Sequence, residues 1–147
     1  MTRKSLTDYP TQFEFVVHWG DMDAANHVNN LVYMKWTESA RIHYFEKIGI
    51  DISFRSAEAG PILGWQDCKY IFPMTFPDTA VIGVKTTEIL SDKFIMECAV
   101  FSKSYNRIAA ISTQSIVPYS YTDSRKVDIP KHWIENIEQL DHLKSSA

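Results

Sequence analysis

The chain has 147 residues, 45% of them hydrophobic and 13% aromatic, and a formal charge of -3 at pH 7. That length buries one substantial core and fits a single domain over residues 1–147. The net negative charge argues against general nucleic-acid binding, which draws on a basic face that releases many counterions.

The N-terminus, Met1-Thr2-Arg3-Lys4-Ser5, runs into Leu6-Thr7-Asp8-Tyr9-Pro10 and not into an apolar signal core, and no later stretch approaches the length of a membrane span. The expectation is a cytoplasmic protein with no membrane partner. Gln12 to Trp19 alternates, with Phe13, Phe15 and Val17 on one face and Gln12, Glu14 and His18 on the other, which predicts a half-buried strand. Past a polar elbow, Val28, Val32, Trp36, Ala40, Tyr44 and Ile48 recur at helical spacing. Leu31, Tyr33, Met34 and Phe45 widen the apolar surface beyond one stripe, so the helix from Leu31 to Ile48 is predicted to be largely buried. Asn29 is its expected N-cap and Gly49 its expected stop. Ile50 to Gly60 is irregular and reads as a loop with room for one helical turn.

From Pro61 onward the pattern changes to strands. Ile62 to Phe72, Ala80 to Leu90, Phe94 to Lys103 and Ile108 to Val117 are rich in β-branched and aromatic residues and are joined by short polar links, which predicts antiparallel neighbours. Cys68 and Cys98 sit inside these runs with no metal-type or CxxC spacing, and read as buried free thiols. Lys131 to Leu140, opened by Pro130, is a short amphipathic helix. One strand, a long apolar helix and four antiparallel strands make an α+β fold in which the helix lies against a curved sheet. A single sheet covers such a helix incompletely, so a second copy of the chain is expected to bury the rest.

The elbow holds the chemistry. Trp19 to Asn30 packs Asp21, Asp23, His27, Asn26, Asn29 and Asn30 between strand and helix, where a bare fold needs only a turn. Asp21-Met22-Asp23-Ala24-Ala25-Asn26-His27-Val28-Asn29-Asn30, followed by Tyr33, Trp36, Glu38 and Arg41, resembles the D-x-D-x-x-G-H-V-N-N-x-x-Y signature of hotdog-fold thioesterases of the 4-hydroxybenzoyl-CoA thioesterase type. The strand order agrees with that fold, a long central helix wrapped by a curved five-stranded antiparallel sheet. The resemblance covers about Thr11 to Val117. Asn26 stands where the family often has glycine, and asparagine tolerates the left-handed backbone better than most residues.

The resemblance implies that Asp23 is the catalytic carboxylate, acting as nucleophile on the thioester carbonyl or as base toward water. It implies that the backbone amide of Asn30 polarises the thioester oxygen. The first N–H groups of a helix lack internal partners and carry its positive dipole end, so they suit an oxyanion. His27 is either a support for Asp23 and substrate or a satisfied histidine; Tyr33 lines the acyl pocket, and Trp36 is assigned to substrate or core. Asp21 is read as a turn residue or an ion-pair partner of Arg41. Glu38 matters because a second hotdog subgroup carries its carboxylate on the helix, although pairing with Arg41 at i+3 is the plainer reading.

Other chemistries fit less well. His18, Asp21, Asp23 and His27 could ligate a metal by type, but their spacing matches no metal motif. No G-x-S-x-G elbow exists, and Gly60-Pro61 and Gly64 are too sparse to cradle phosphate. The expected function is hydrolysis of acyl-CoA to a carboxylic acid and free CoA, with no metal or separate cofactor, by a homodimer or homotetramer. Lys93, Lys103 and Arg107 are the surface cations available to CoA's phosphates. The alternatives are a thioesterase acting on acyl-carrier protein, or a non-catalytic acyl-CoA-binding protein of the same fold.

Overall fold

The computed structural model describes residues 4–53 and 59–144. The strands are β1 (Thr11–Val16), β2 (Gly60–Gln66), β3 (Lys69–Tyr70), β4 (Thr79–Ile89), β5 (Phe94–Ser102), β6 (Arg107–Ser120) and β7 (Arg125–Lys126); the helices are α1 (Asn30–Lys47) and α2 (Lys131–Asp141). The sheet order is β1-β4-β5-β6-β2, antiparallel throughout, with the two-residue β3 and β7 also paired to β6. α1 touches β1, β4, β5 and β6, so the sheet curls around it, the hotdog arrangement expected from the sequence. Among the described residues no helix is long and apolar enough to cross a membrane.

The core fills the space between α1 and the concave face of the sheet. Ile82, Val84, Phe94, Met96, Cys98, Val100 and Ile116 meet Tyr33, Trp36, Ala40, Tyr44 and Phe45 of the helix. Each fully buried side chain of this size contributes about 1.5–3 kcal/mol over its exposed state. Both cysteines are free thiols, Cys98 fully buried and Cys68 partly so. A smaller cluster lies on the convex face, where Tyr9 packs on Val81, Ala99 and Phe101. Gly83 makes room for it, since a Cβ there would stand 2.5 Å from Tyr9 Cγ.

Helix α1 corrects one expectation. Its sheet-facing side is buried, but Leu31 is 69% exposed and Lys35, Glu38, Glu46 and Lys47 also face outward. The sheet curls past one face of the helix only. Gly49, with φ of +82°, ends it in the left-handed conformation, as read from the sequence. α2 closes the far end: Trp133 and Ile137 are buried, Asn136 Nδ2 donates to Ile48 O at 2.9 Å, and Asp141 accepts the Thr86 N–H and the Tyr44 hydroxyl.

Two strand boundaries also differ. The first strand stops at Val16, because Trp19–Asp21 form a 3-10 turn closed by the His18 N–H donating to Asp21 Oδ2 at 2.8 Å. The run from Ile62 to Phe72 is two strands, with a bulge between Leu63 and Trp65 and a break at Asp67. There the Asp67 carboxylate accepts the Thr113 N–H in place of a backbone carbonyl. Of the loop predicted over Ile50 to Gly60, residues 54–58 lie outside the described part of the chain.

Candidate active site

The elbow is a closed loop hung on the helix start. Met22 and Val28 form an isolated antiparallel bridge, the Asp23 N–H donates to His27 O at 3.1 Å, and the Asn29 N–H donates to Asp21 O at 2.9 Å. Asn26 takes φ of +65°, the left-handed conformation expected of the residue standing for glycine, and its N–H reaches Asp23 O at 2.9 Å. These bonds fix Asp23 in a tight turn directly before α1.

The Asp23 carboxylate is exposed. Its Oδ1 accepts the Ala25 N–H at 2.9 Å, and among the described residues Oδ2 has no partner. Asp21 does not reach Arg41. It is consumed by the His18 turn, while Arg41 lies 3.9 Å from Glu38, the i+3 pair read from the sequence. His27 is exposed and, among the described residues, its imidazole makes no hydrogen bond to Asp23. It contributes its carbonyl to the turn.

At the helix start, Asn29 acts as the cap: its Oδ1 accepts the Leu31 N–H and its carbonyl the Val32 N–H, both at 2.9 Å. Among the described residues nothing accepts the Asn30 N–H. The Asn30 carbonyl accepts the Tyr70 hydroxyl at 3.0 Å, which ties β3 to the first turn of α1. Burial, with Cys68 as a neighbour, pushes the Tyr70 hydroxyl up to about 12.

A groove of about 230 Å³ opens at this point, lined by Val28, Asn30, Tyr33, Tyr70, Phe72 and Pro73. Tyr33 holds its wall in place: the hydroxyl accepts the Met74 N–H at 2.9 Å and donates to Phe72 O at 3.4 Å. The Val28 N–H donates to Met74 O at 2.9 Å, so elbow, helix and wall are one unit. Desolvation raises the Tyr33 pKa, which keeps the hydroxyl protonated as a donor. Trp36 is buried in the core, edge-on to Tyr33, and does not line the groove.

No motif in the sequence singles out Tyr70, Phe72 and Pro73. They come from a segment about forty positions downstream of the elbow, and tertiary contacts bring them to it: the Tyr70 hydroxyl to Asn30 O, the Tyr33 hydroxyl to Phe72 O and the Met74 N–H, and the Val28 N–H to Met74 O. Among the described residues no group of three His, Cys, Asp or Glu side chains could hold a metal. Among the described residues, the elbow thus carries a carboxylate oxygen without a hydrogen-bond partner, and the helix start carries an N–H that nothing accepts, on a residue that lines an apolar, aromatic groove.

Across residues 17–137 the chain matches the profile of the thioesterase-like superfamily. A comparison with curated proteins finds no match. Among solved structures, a protein from Pseudomonas aeruginosa strain PAO1 is 25% identical, with a TM-score of 0.83 over 99% of each chain. A thioesterase from Thermus thermophilus complexed with coenzyme A and zinc is also 25% identical, with a TM-score of 0.82 over 93% of this chain and 98% of that one. A 1,4-dihydroxy-2-naphthoyl-CoA thioesterase from Synechocystis has the same fold at 16% identity, with a TM-score of 0.78 over 90% of this chain and 98% of that one.

Proposed function

The chain belongs to the thioesterase-like superfamily, and from that premise we propose that it hydrolyses an acyl-CoA thioester to a carboxylic acid and free CoA. The observation that carries the reading is the Asn30 N–H at the N-terminus of an 18-residue helix, which nothing among the described residues accepts and whose residue lines an apolar groove. A thioester carbonyl seated there gains negative charge on oxygen as it is attacked, and the helix terminus is a fixed positive end for it. One such donor is worth about 3 kcal/mol of barrier height.

Asp23 supplies the attack. As nucleophile, its carboxylate oxygen bonds to the acyl carbon, the C–S bond breaks, CoA leaves as thiolate and is protonated, and water then cleaves the mixed anhydride to regenerate the carboxylate. As base, it takes a proton from water while that water's oxygen bonds to the acyl carbon, and the C–S bond breaks in the same sense. Either route is served by Oδ2, which the turn leaves unbonded, while Oδ1 is held by Ala25. The likeness to a thioesterase complexed with coenzyme A supports CoA as the carrier. The groove takes the acyl group, Tyr33 being the helix residue that shapes it.

The same reading assigns a second copy of the chain to cover Val16, Trp19, Leu31 and Trp65, which are between 56% and 72% exposed in the single chain. Thiol release measured across short, long and aromatic acyl-CoAs, with Asp23→Asn as the paired variant, tests the function. Release by the wild-type protein that vanishes in a folded Asp23→Asn variant supports it; equal release by both removes Asp23 from the site.

A further inference from the structure

Phe72 joins two features that hydrolysis at Asn30 alone does not use. Its ring lines the groove, and on the same ring rests the Arg107 guanidinium, 4.3 Å from the centroid. The Tyr105 ring meets Phe72 as well, at 5.3 Å and 59°, and is 60% exposed. A cation and an open aromatic face are therefore attached to the ring that walls the groove. We propose that this Tyr105–Phe72–Arg107 shelf, at the turn between β5 and β6, seats the nucleotide end of coenzyme A. The proposal rests on the acyl-CoA reading above.

The chemistry of the leaving group selects the occupant. An acyl group in the groove leaves its carrier arm running outward, and in CoA that arm ends in a pyrophosphate, a ribose 3′-phosphate and adenine. A guanidinium presents a planar fork to phosphate, and an exposed phenol ring offers a stacking face to a purine. Of the other two surface cations considered for CoA's phosphates, Lys103 is taken by Glu14 at 3.0 Å, and Lys93 lies in the hairpin at the other end of β5. Among the described residues Arg107 has no carboxylate partner, so its charge is available in a chain that is negative as a whole.

The turn is built rather than loose. Buried Asp78 accepts the N–H groups of Thr79 at 2.7 Å and Ser104 at 2.9 Å, together with the Ser102 hydroxyl. Ser102 Oγ in turn accepts the Tyr105 N–H at 3.2 Å, and Asn106 completes the reversal at φ of +48°. Tyr105 and Arg107 thus project from a pinned backbone, and little further ordering opposes binding. Past Arg107 the convex face carries a second groove of about 310 Å³, lined by Lys4, Leu6, Phe101 and Asn106 among others, with space for the nucleotide. A carrier-protein thioester has no nucleotide to place there, so the shelf makes the site selective for CoA.

The test pairs the acyl-CoA turned over fastest in the thiol-release survey with the same acyl group on N-acetylcysteamine, which keeps the thioester and lacks the nucleotide. Calorimetric titration of adenosine 3′,5′-bisphosphate runs alongside it. In Arg107→Ala the ratio of kcat/KM for the two substrates is expected to fall about tenfold, through KM for the CoA ester, the size of losing one charge-assisted hydrogen bond. Bisphosphate affinity falls with it, Arg107→Lys lies between, and Tyr105→Ala moves both readouts the same way. An unchanged ratio in Arg107→Ala, or an equal loss on both substrates, overturns the proposal. If no acyl-CoA is hydrolysed, the hydrolysis reading fails, and the titration decides the shelf by itself: dependence of bisphosphate binding on Arg107 upholds it and independence overturns it.

Discussion

Asn29 accepts the Leu31 N–H on its side chain at 2.9 Å and thereby passes over Asn30, the residue between them. The cap satisfies one donor of the first helical turn, and among the described residues nothing accepts the N–H of its neighbour, a residue that lines the groove. Asn29→Ala is expected to lower stability by about 1 kcal/mol. Denaturant unfolding measures this; an unchanged midpoint would mean that the cap is not formed in solution.

Asp23→Asn keeps an oxygen able to accept the Ala25 N–H, so the turn should persist while the charge is lost. Thioester hydrolysis is expected to drop by about 10²–10⁴-fold, the usual worth of a positioned base or nucleophile. Circular dichroism should stay as in the wild type. Incorporation of labelled oxygen from water into Asp23 during a single turnover then separates attack from water activation.

Tyr33→Phe removes the acceptor of the Met74 N–H, a buried donor in the groove wall. A buried donor left without a partner costs about 1–3 kcal/mol. Loosening of the Phe72–Met74 segment should also raise KM for acyl-CoA more than it lowers kcat. A variant with wild-type stability and KM would show that the wall is held by other contacts.

Arg41 is only 6% exposed, its Nη1 has no hydrogen-bond partner among the described residues, and its ion pair with Glu38 is 3.9 Å long. Desolvation lowers its pKa, so burial works against the charge. Arg41→Met keeps the apolar stem and leaves only a solvated Glu38 behind, so stability should hold or rise, by about 1 kcal/mol. Glu38→Gln should change it by less than about 0.5 kcal/mol. A fall in thermal midpoint by ten degrees for Arg41→Met would contradict this account.

Burial alone would raise the Asp78 carboxyl, but donation from the Ser102 hydroxyl and from the Ser104 and Thr79 N–H groups holds it below the usual carboxylate value. A depressed folded-state pKa gives stability that is present above the unfolded value, about 3.9, and is lost as pH falls through the folded one. Unfolding midpoints of the wild type should therefore drop below about pH 4, and Asp78→Asn should show a smaller drop over that range. Parallel pH profiles for the two proteins would place the acid sensitivity elsewhere.

Much of the site was legible because its parts are local. Asn26 at the left-handed position, Asn29 as cap and Gly49 as stop each follow from what one residue can do for its own stretch of backbone. The helix and the strands after it followed from periodicity for the same reason. The break at Asp67 was not legible, because an aspartate inside an apolar run becomes a ladder acceptor only when Thr113 is opposite it. Nor was the exposure of Leu31, since an apolar helical residue says that a partner is wanted and not which face the sheet will cover.

Turn and cap chemistry acts over neighbouring residues, so the order of amino acids is enough to set a strand, an elbow and a helix that put a carboxylate a few residues before a helix N-terminus. What that pair faces depends on contacts between distant segments. Tyr70, Phe72 and Pro73 wall the groove because β3 pairs with β6 and the Tyr70 hydroxyl reaches Asn30, and Arg107, the first residue of β6, rests on the Phe72 ring. Contacts between residues this far apart depend on how the sheet curls around α1, and no local pattern in the chain specifies that curvature.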